Sequence, residues 1–127
     1  MLDKRKGFSL SRATATAMLG LLFVSGPALA HSFLVDANPS SKDHVAAPKS
    51  VRLKFGGGVE PAYSKLTIET PDGKVLAQGA VGKPESPREL TLDAPELAPG
   101  RYIVRYRVLS TDGHIVEGNY DFTVDGK

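Results

Sequence analysis

Two side chains of the kind that bind metals lie close together late in the chain, in Ser110-Thr111-Asp112-Gly113-His114. Asp112 and His114 are two residues apart, so in an extended chain both side chains would project from the same face. A carboxylate beside an imidazole suits a divalent borderline metal such as Cu(II) or Zn(II). The same residues also fit a plain hairpin turn, because Asp-Gly is a common turn pair and His114 would then be a surface residue. The sequence alone leaves both interpretations open.

A second candidate ligand is His31, which directly follows Ala28-Leu29-Ala30. Residues 1–30 combine basic positions, an apolar run over residues 13–24 and a small-residue A-x-A site, which is the pattern of a secretory signal peptide. The apolar run is too short to span a bilayer as a helix, and a retained N-terminal anchor is the alternative. Cleavage after Ala30 would give His31 a free amine, which can chelate one metal ion together with the imidazole Nδ1. Otherwise His31 is an incidental residue of a frayed terminus.

The third histidine, His44, lies in the polar segment 40–48 beside Lys42 and Asp43. Adjacent side chains of an extended segment point in opposite directions, which argues against a ligand pair made by Asp43 and His44. We therefore predict a solvated loop residue, with a distant second ligand set as the alternative. No Ser-His-Asp set, glycine phosphate loop or paired-carboxylate pattern indicates an enzyme.

Removal of residues 1–30 would change the charge of the protein. The whole chain has 16 Lys and Arg against 14 Asp and Glu, but four basic residues and only one acidic residue lie in the first 30. The remaining domain has 12 basic and 13 acidic side chains, a formal charge of −1, so we expect neither a nucleic acid nor an anionic membrane as partner. The chain has no Cys, and Met1 and Met18 both lie before residue 31. The domain thus lacks the soft sulfur ligands that Cu(I) prefers.

Short apolar alternations separated by turn residues follow His31, and no stretch keeps a helical period. We predict an all-β domain of about seven strands, either a two-sheet antiparallel sandwich or a small Greek-key barrel. Segments 40–48, 79–87 and 93–100 are predicted as loops, and Tyr102 is a candidate tyrosine corner. The predicted strands cover residues 31–37, 51–55, 65–69, 75–78, 90–92, 101–110 and 115–124, the last burying Val116, Tyr120, Phe122 and Val124.

Through His31 and the Asp112-Gly113-His114 motif, together with further motifs along the domain, residues 31–127 resemble the CopC family of periplasmic copper-binding proteins. The resemblance implies an immunoglobulin-like or cupredoxin-like Greek-key domain with a histidine-brace Cu(II) site, formed by the amine and imidazole of His31 with Asp112 and His114. It also implies copper homeostasis or resistance without enzymatic activity, and an inner-membrane copper transport protein as a possible partner; we expect a monomer. The matching motifs are His31 after the leader, Asn38-Pro39, Val51-Arg52-Leu53-Lys54-Phe55, Val59-Glu60-Pro61, Pro99-Gly100-Arg101-Tyr102, Ser110-Thr111-Asp112-Gly113-His114 and Gly118-Asn119-Tyr120.

The chain departs from the family pattern in three places. Gly56-Gly57-Gly58 stands where some members have a Glu ligand, which leaves a fourth side-chain ligand open, and Ile115 stands where a Pro often follows the histidine. Segment 79–87 corresponds to a Met-rich loop of some members but contains neither Met nor Cys, so we predict one Cu(II) site and no dedicated Cu(I) site. Two rival functions stay open: a copper-dependent oxidative enzyme that uses the same brace, and a metal-free immunoglobulin-like interaction module.

Overall fold

Nine β-strands in two sheets form most of residues 33–126, the part of the chain that the computed structural model describes. A 3-10 helix, Pro61–Tyr63, lies between the third and fourth strands. No helix within residues 33–126 is long and apolar enough to cross a membrane. The strands are β1 (Leu34–Asn38), β2 (His44–Val45), β3 (Ser50–Phe55), β4 (Lys65–Glu69), β5 (Val75–Gly79), β6 (Val81–Lys83), β7 (Ser86–Asp93), β8 (Gly100–Leu109) and β9 (Ile115–Val124).

The two sheets confirm the sandwich and decide against the barrel. One sheet has the strand order β1-β3-β7-β6, and the other has the order β2-β9-β8-β4-β5. Neighbouring strands are antiparallel except for β2, which runs parallel to β9. The strands β8 and β9 form the longest pair, in register from Gly100 opposite Val124 to Leu109 opposite Ile115. The turn between these two strands therefore lies at one end of the sandwich, and the residues after Val124 lie at the other end.

Apolar residues that alternate along the strands of both sheets meet in the core. Val51, Leu53 and Phe55 on β3 have no exposed surface, as the period-two pattern predicts. On β9 the predicted core positions Tyr120, Phe122 and Val124 are buried, whereas Val116 is only half-buried. Val116 is the second residue of β9 and lies close to the end of the sandwich that carries the turn between β8 and β9.

Turn chemistry sets the connections as predicted. The hydroxyl of Tyr102 donates a hydrogen bond to the carbonyl of Ala98 at 2.6 Å, which confirms the tyrosine corner. Between β4 and β5, Gly73 has a φ of 95°, a value that glycine adopts without strain, and the N–H of Thr70 donates to the carbonyl of Lys74 at 2.9 Å.

Two segments predicted as loops contain short strands. Within 40–48, β2 pairs with β9 through His44 opposite Thr123, and within 79–87, β6 pairs with β7. Strands of two or three residues are too short for an alternating pattern to appear in the sequence, and here a neighbouring strand supplies the pairing. Strand β7 is also longer than predicted, because it begins at Ser86 rather than at Leu90.

Candidate metal centre

The turn between β8 and β9 carries the Asp-Gly-His motif. The N–H of Ser110 donates to the carbonyl of His114 at 2.8 Å, and the N–H of Gly113 donates back to the carbonyl of Ser110 at 2.9 Å. Gly113 has a φ of 93°, which lets the chain reverse direction without a steric penalty. The premise of an extended chain between Asp112 and His114 is therefore wrong, and their side chains meet because the turn folds one onto the other.

The carboxylate of Asp112 organises this turn. Its Oδ1 accepts hydrogen bonds from the Ser110 hydroxyl, from the His114 N–H at 3.2 Å and from His114 Nδ1 at 3.1 Å. The Ser110 hydroxyl, followed by His114, lowers the pKa of Asp112 to about 2, because these donors favour the charged carboxylate. Asp112 is thus an anion at any pH near neutral.

This contact also fixes the state of the His114 ring. A carboxylate only accepts hydrogen bonds, so Nδ1 of His114 carries the proton and Nε2 carries the lone pair of the neutral imidazole. Metal-binding histidines are commonly oriented in this way by a carboxylate on the other ring nitrogen. Both side chains are exposed, so an ion can reach them from solvent.

A glycine loop lies beside the turn. The N–H of Thr111 donates to the carbonyl of Gly58 at 2.9 Å, and at the other side of the loop the N–H of Gly56 donates to the carbonyl of Phe33 at 2.7 Å. The loop therefore connects the turn that carries Asp112 and His114 with the first described residues of the chain. His31 lies two positions before Phe33 and outside the described residues, so its predicted part in the site stays a prediction.

The third histidine lies at the opposite end of the sandwich. Nδ1 of His44 is 3.2 Å from Oδ1 of Asp125, a residue that follows β9. The side chain of Asp43 instead accepts hydrogen bonds from the N–H and the hydroxyl of Ser40, at 2.9 Å and 3.1 Å. His44 is solvent-exposed, as predicted, although it belongs to a short strand rather than to a loop. No local pattern pointed to Asp125, which is 81 positions away in sequence.

The described residues do not bring together a complete set of metal ligands. Within residues 33–126 no group of three or more His, Asp and Glu side chains could hold a metal ion. Asp112 and His114 supply one carboxylate oxygen and one imidazole nitrogen, which suit Cu(II) or Zn(II) better than a soft ion. Ser110 was not predicted as a functional residue, and it is buried. Its position two residues before Asp112 was the feature of the sequence that could have indicated the hydrogen bond between them.

Comparison with known proteins gives consistent matches over the same domain. The CopC domain family matches residues 34–125. The chain is 34% identical to copper resistance protein C of Xanthomonas campestris pv. juglandis over 122 residues, which cover 90% of this chain and 95% of that protein.

Solved structures agree with the sequence matches. CopC from Methylosinus trichosporium OB3b is 68% identical, with a TM-score of 0.74 over 76% of this chain and 95% of that one. PcoC, a methionine-rich copper resistance protein from Escherichia coli, is 30% identical, with a TM-score of 0.64 over 76% of this chain and all of that one. From its sequence and its fold, the chain belongs to the CopC family.

Proposed function

We propose that this protein binds copper as Cu(II) and serves in copper resistance or homeostasis. The observation that carries the proposal is the Asp112–His114 contact in an exposed turn, 3.1 Å between Oδ1 and Nδ1, which orients the ring as a carboxylate orients the ring of a metal-binding histidine. Relatives named copper resistance protein C, and the copper resistance protein PcoC, support copper as the ion.

The ligand set that we propose consists of His31, Asp112 and His114. His31 would contribute its terminal amine and its imidazole, His114 would contribute Nε2, and Asp112 would contribute an oxygen while it also orients the His114 ring. Three nitrogens and one oxygen make the tetragonal donor set that Cu(II) prefers. The glycine loop supports this assignment, because it holds the chain next to Phe33 and the turn at Thr111 at one end of the sandwich.

We infer that the site favours Cu(II) over Cu(I). The chain has no Cys, and both of its methionines lie before residue 31, so the domain has no sulfur ligand for the softer ion. PcoC, in contrast, is described as methionine-rich. Reduction of the bound ion should therefore weaken binding, and release on reduction fits a protein that carries or buffers copper.

The proposed role is non-enzymatic and extracytoplasmic. A secretory signal over residues 1–30, cleaved after Ala30, would deliver residues 31–127 to the periplasm and create the terminal amine of His31. An inner-membrane copper transport protein is the partner that we propose for a monomeric carrier. Absence of substrate oxidation or peroxide release by the reduced copper form would separate this role from that of a copper-dependent oxidative enzyme.

The test compares the protein that begins at His31 with a variant that has one extra Ala before His31. The extra residue turns the amine into a peptide N–H, which is a poor ligand, and displaces the new amine from the chelate ring. We expect one Cu(II) per protein, and binding weaker by about 100-fold in the extended variant, measured by competition with a chelator of known affinity. Equal binding by the two proteins would disprove the role of the terminal amine.

Two controls complete this test. Matching thermal unfolding of the two apo proteins would show that the extra Ala leaves the fold intact. The intact mass of the exported protein, with and without Cu(II), checks both the cleavage site after Ala30 and the stoichiometry.

A further inference from the structure

We propose that the contact between Gly58 and Thr111 positions the Asp112–His114 turn for metal binding, and that Gly58 is glycine for this reason. The inference rests on the proposed copper site and adds a positioning residue that is not itself a ligand. It assigns a role to the glycine loop 56–58, where the sequence indicated only the loss of a possible Glu ligand.

The loop is hydrogen-bonded on both sides. On one side the Gly56 N–H donates to the Phe33 carbonyl at 2.7 Å, and on the other side the Gly58 carbonyl accepts from the Thr111 N–H at 2.9 Å. A guanidinium N–H of Arg88 also donates to the Gly56 carbonyl at 3.2 Å. Three separate parts of the chain therefore hold the loop in place, and the loop in turn holds the residue next to Asp112.

The space between the loop and the turn leaves little room for a side chain at Gly58. A Cβ atom built on Gly58 would lie 3.1 Å from Oγ1 and 3.2 Å from Cγ2 of Thr111, which is closer than ordinary van der Waals contact. Gly58 is not among the positive-φ glycines of residues 33–126, so an alanine there would not strain its own backbone. The contact with Thr111, rather than backbone freedom, is therefore what favours glycine at position 58.

A small displacement at Thr111 would act directly on the candidate ligands. Asp112 is the next residue, and its carboxylate holds His114 through both the backbone N–H and Nδ1. Metal sites tolerate ligand displacements of only about 0.5 Å before affinity falls. Relief of the Cβ contact by a shift of the turn would thus weaken copper binding while it leaves the core of the sandwich intact.

The test is a set of three variants: Gly58→Ala, Thr111→Ala and the double variant. We expect Gly58→Ala to bind Cu(II) about tenfold more weakly, with an altered electron paramagnetic resonance spectrum. Thr111→Ala removes Oγ1 and Cγ2, so the nearest remaining atom, Cβ, is 3.7 Å from the added methyl group. We therefore expect the double variant to return to within about threefold of the wild-type affinity.

A matched control is Gly126→Ala at the opposite end, where a Cβ would lie at an ordinary 3.5 Å from Pro99. It should leave copper binding and the spectrum unchanged. Wild-type binding by Gly58→Ala, or an equal loss in the Thr111→Ala background, would overturn the inference. If Gly58→Ala did not fold, a folded double variant with displaced His114 amide shifts would overturn it as well.

A copper-free measurement separates this inference from the proposed function. In apo protein, the His114 amide resonance should shift in Gly58→Ala and return towards its wild-type position in the double variant. If wild-type protein bound no Cu(II), the proposed function would fail, yet these apo spectra would still decide whether Gly58 sets the position of the turn. Unchanged His114 shifts in apo Gly58→Ala would contradict the positioning role.

Discussion

His114 and His44 each have Nδ1 within hydrogen-bonding distance of an aspartate Oδ1, 3.1 Å from Asp112 in one pair and 3.2 Å from Asp125 in the other. The exposed fractions of the side chains are also similar, 66% and 49% in the first pair and 67% and 54% in the second. Distance and exposure therefore do not distinguish a candidate metal site from an ordinary surface contact. The surroundings of the two carboxylates must make the difference.

The two pairs differ in what holds each aspartate. Asp112 accepts from Ser110 and from the backbone of His114 within a single turn, beside the loop that contacts Phe33. Asp125 follows β9, and its N–H donates to the carbonyl of Val45 at 2.8 Å, so the second pair joins β2 to the end of β9. The first pair lies in a turn beside the loop that contacts Phe33, whereas the second pair connects two strands.

The largest expected difference between the pairs is in copper binding after loss of the histidine. His114→Ala removes a proposed nitrogen ligand and should weaken Cu(II) binding by about 100-fold or more, while His44→Ala should change it by less than about twofold. Chelator competition on both apo variants, with thermal unfolding as the check on folding, measures this directly. A comparable loss in His44→Ala would mean that the two pairs are alike and that the proposed site is incomplete.

A smaller effect is expected when the support of the Asp112 carboxylate is removed. Ser110→Ala deletes the donor that contributes most to the low pKa of Asp112, so this pKa should rise from about 2 towards its ordinary value of 3.8. Near neutral pH the carboxylate stays charged in both proteins, and we expect Cu(II) binding to fall by only about threefold to tenfold because the turn is less rigid. Carboxyl shifts from an NMR titration of apo protein report the pKa.

The sign of the pH effect follows from the lowered pKa. The native Asp112 stabilises the fold above pH 3.8, and this contribution is lost as the pH falls towards about 2. Ser110→Ala should therefore lower the free energy of unfolding most above pH 3.8, and its difference from the wild type should shrink as the pH falls towards about 2. The matched control is Ser40→Ala, whose hydroxyl donates to Asp43 at the other end of the sandwich. An unchanged Asp112 pKa in Ser110→Ala would show that the hydroxyl does not organise this turn.

The sequence predicted the long elements of this fold because their pattern is repeated. The strands β3, β8 and β9 have enough alternating residues to identify a buried face, and Tyr102 has a position in sequence that corresponds to a known corner. The short strands β2 and β6 were missed, since their pairing depends on β9 and β7 rather than on their own residues. Thr67 and Glu69 alternate with the core residues of β4, so the pattern places them on the other face of the sheet. Both are nevertheless buried, which the alternation alone does not predict.

The candidate site, like the fold, was predictable where its residues are close together in the sequence. Asp112 and His114 are two positions apart, so their proximity followed from the motif, although the turn rather than an extended chain brings them together. The Gly58–Thr111 contact joins residues more than 50 positions apart and depends on how two loops pack, which no local pattern contains. The contact between His44 and Asp125 could not be predicted for the same reason, because the two residues are far apart in the sequence.

The smallest predicted effect is the contribution of the His44–Asp125 pair to stability. Both side chains are more than half exposed, so water screens the interaction, and a double-mutant cycle of His44→Ala and Asp125→Ala should give a coupling of about 0.5 kcal/mol or less. Urea unfolding of the four proteins measures the coupling, and repetition in high salt should reduce it further. All four proteins should bind Cu(II) with the same affinity. A coupling well above 1 kcal/mol would make the pair a strong connection between β2 and β9. A coupling that depends on copper would make the pair a second metal site. In that case the surroundings of the aspartate would not be what distinguishes the two ends of the molecule.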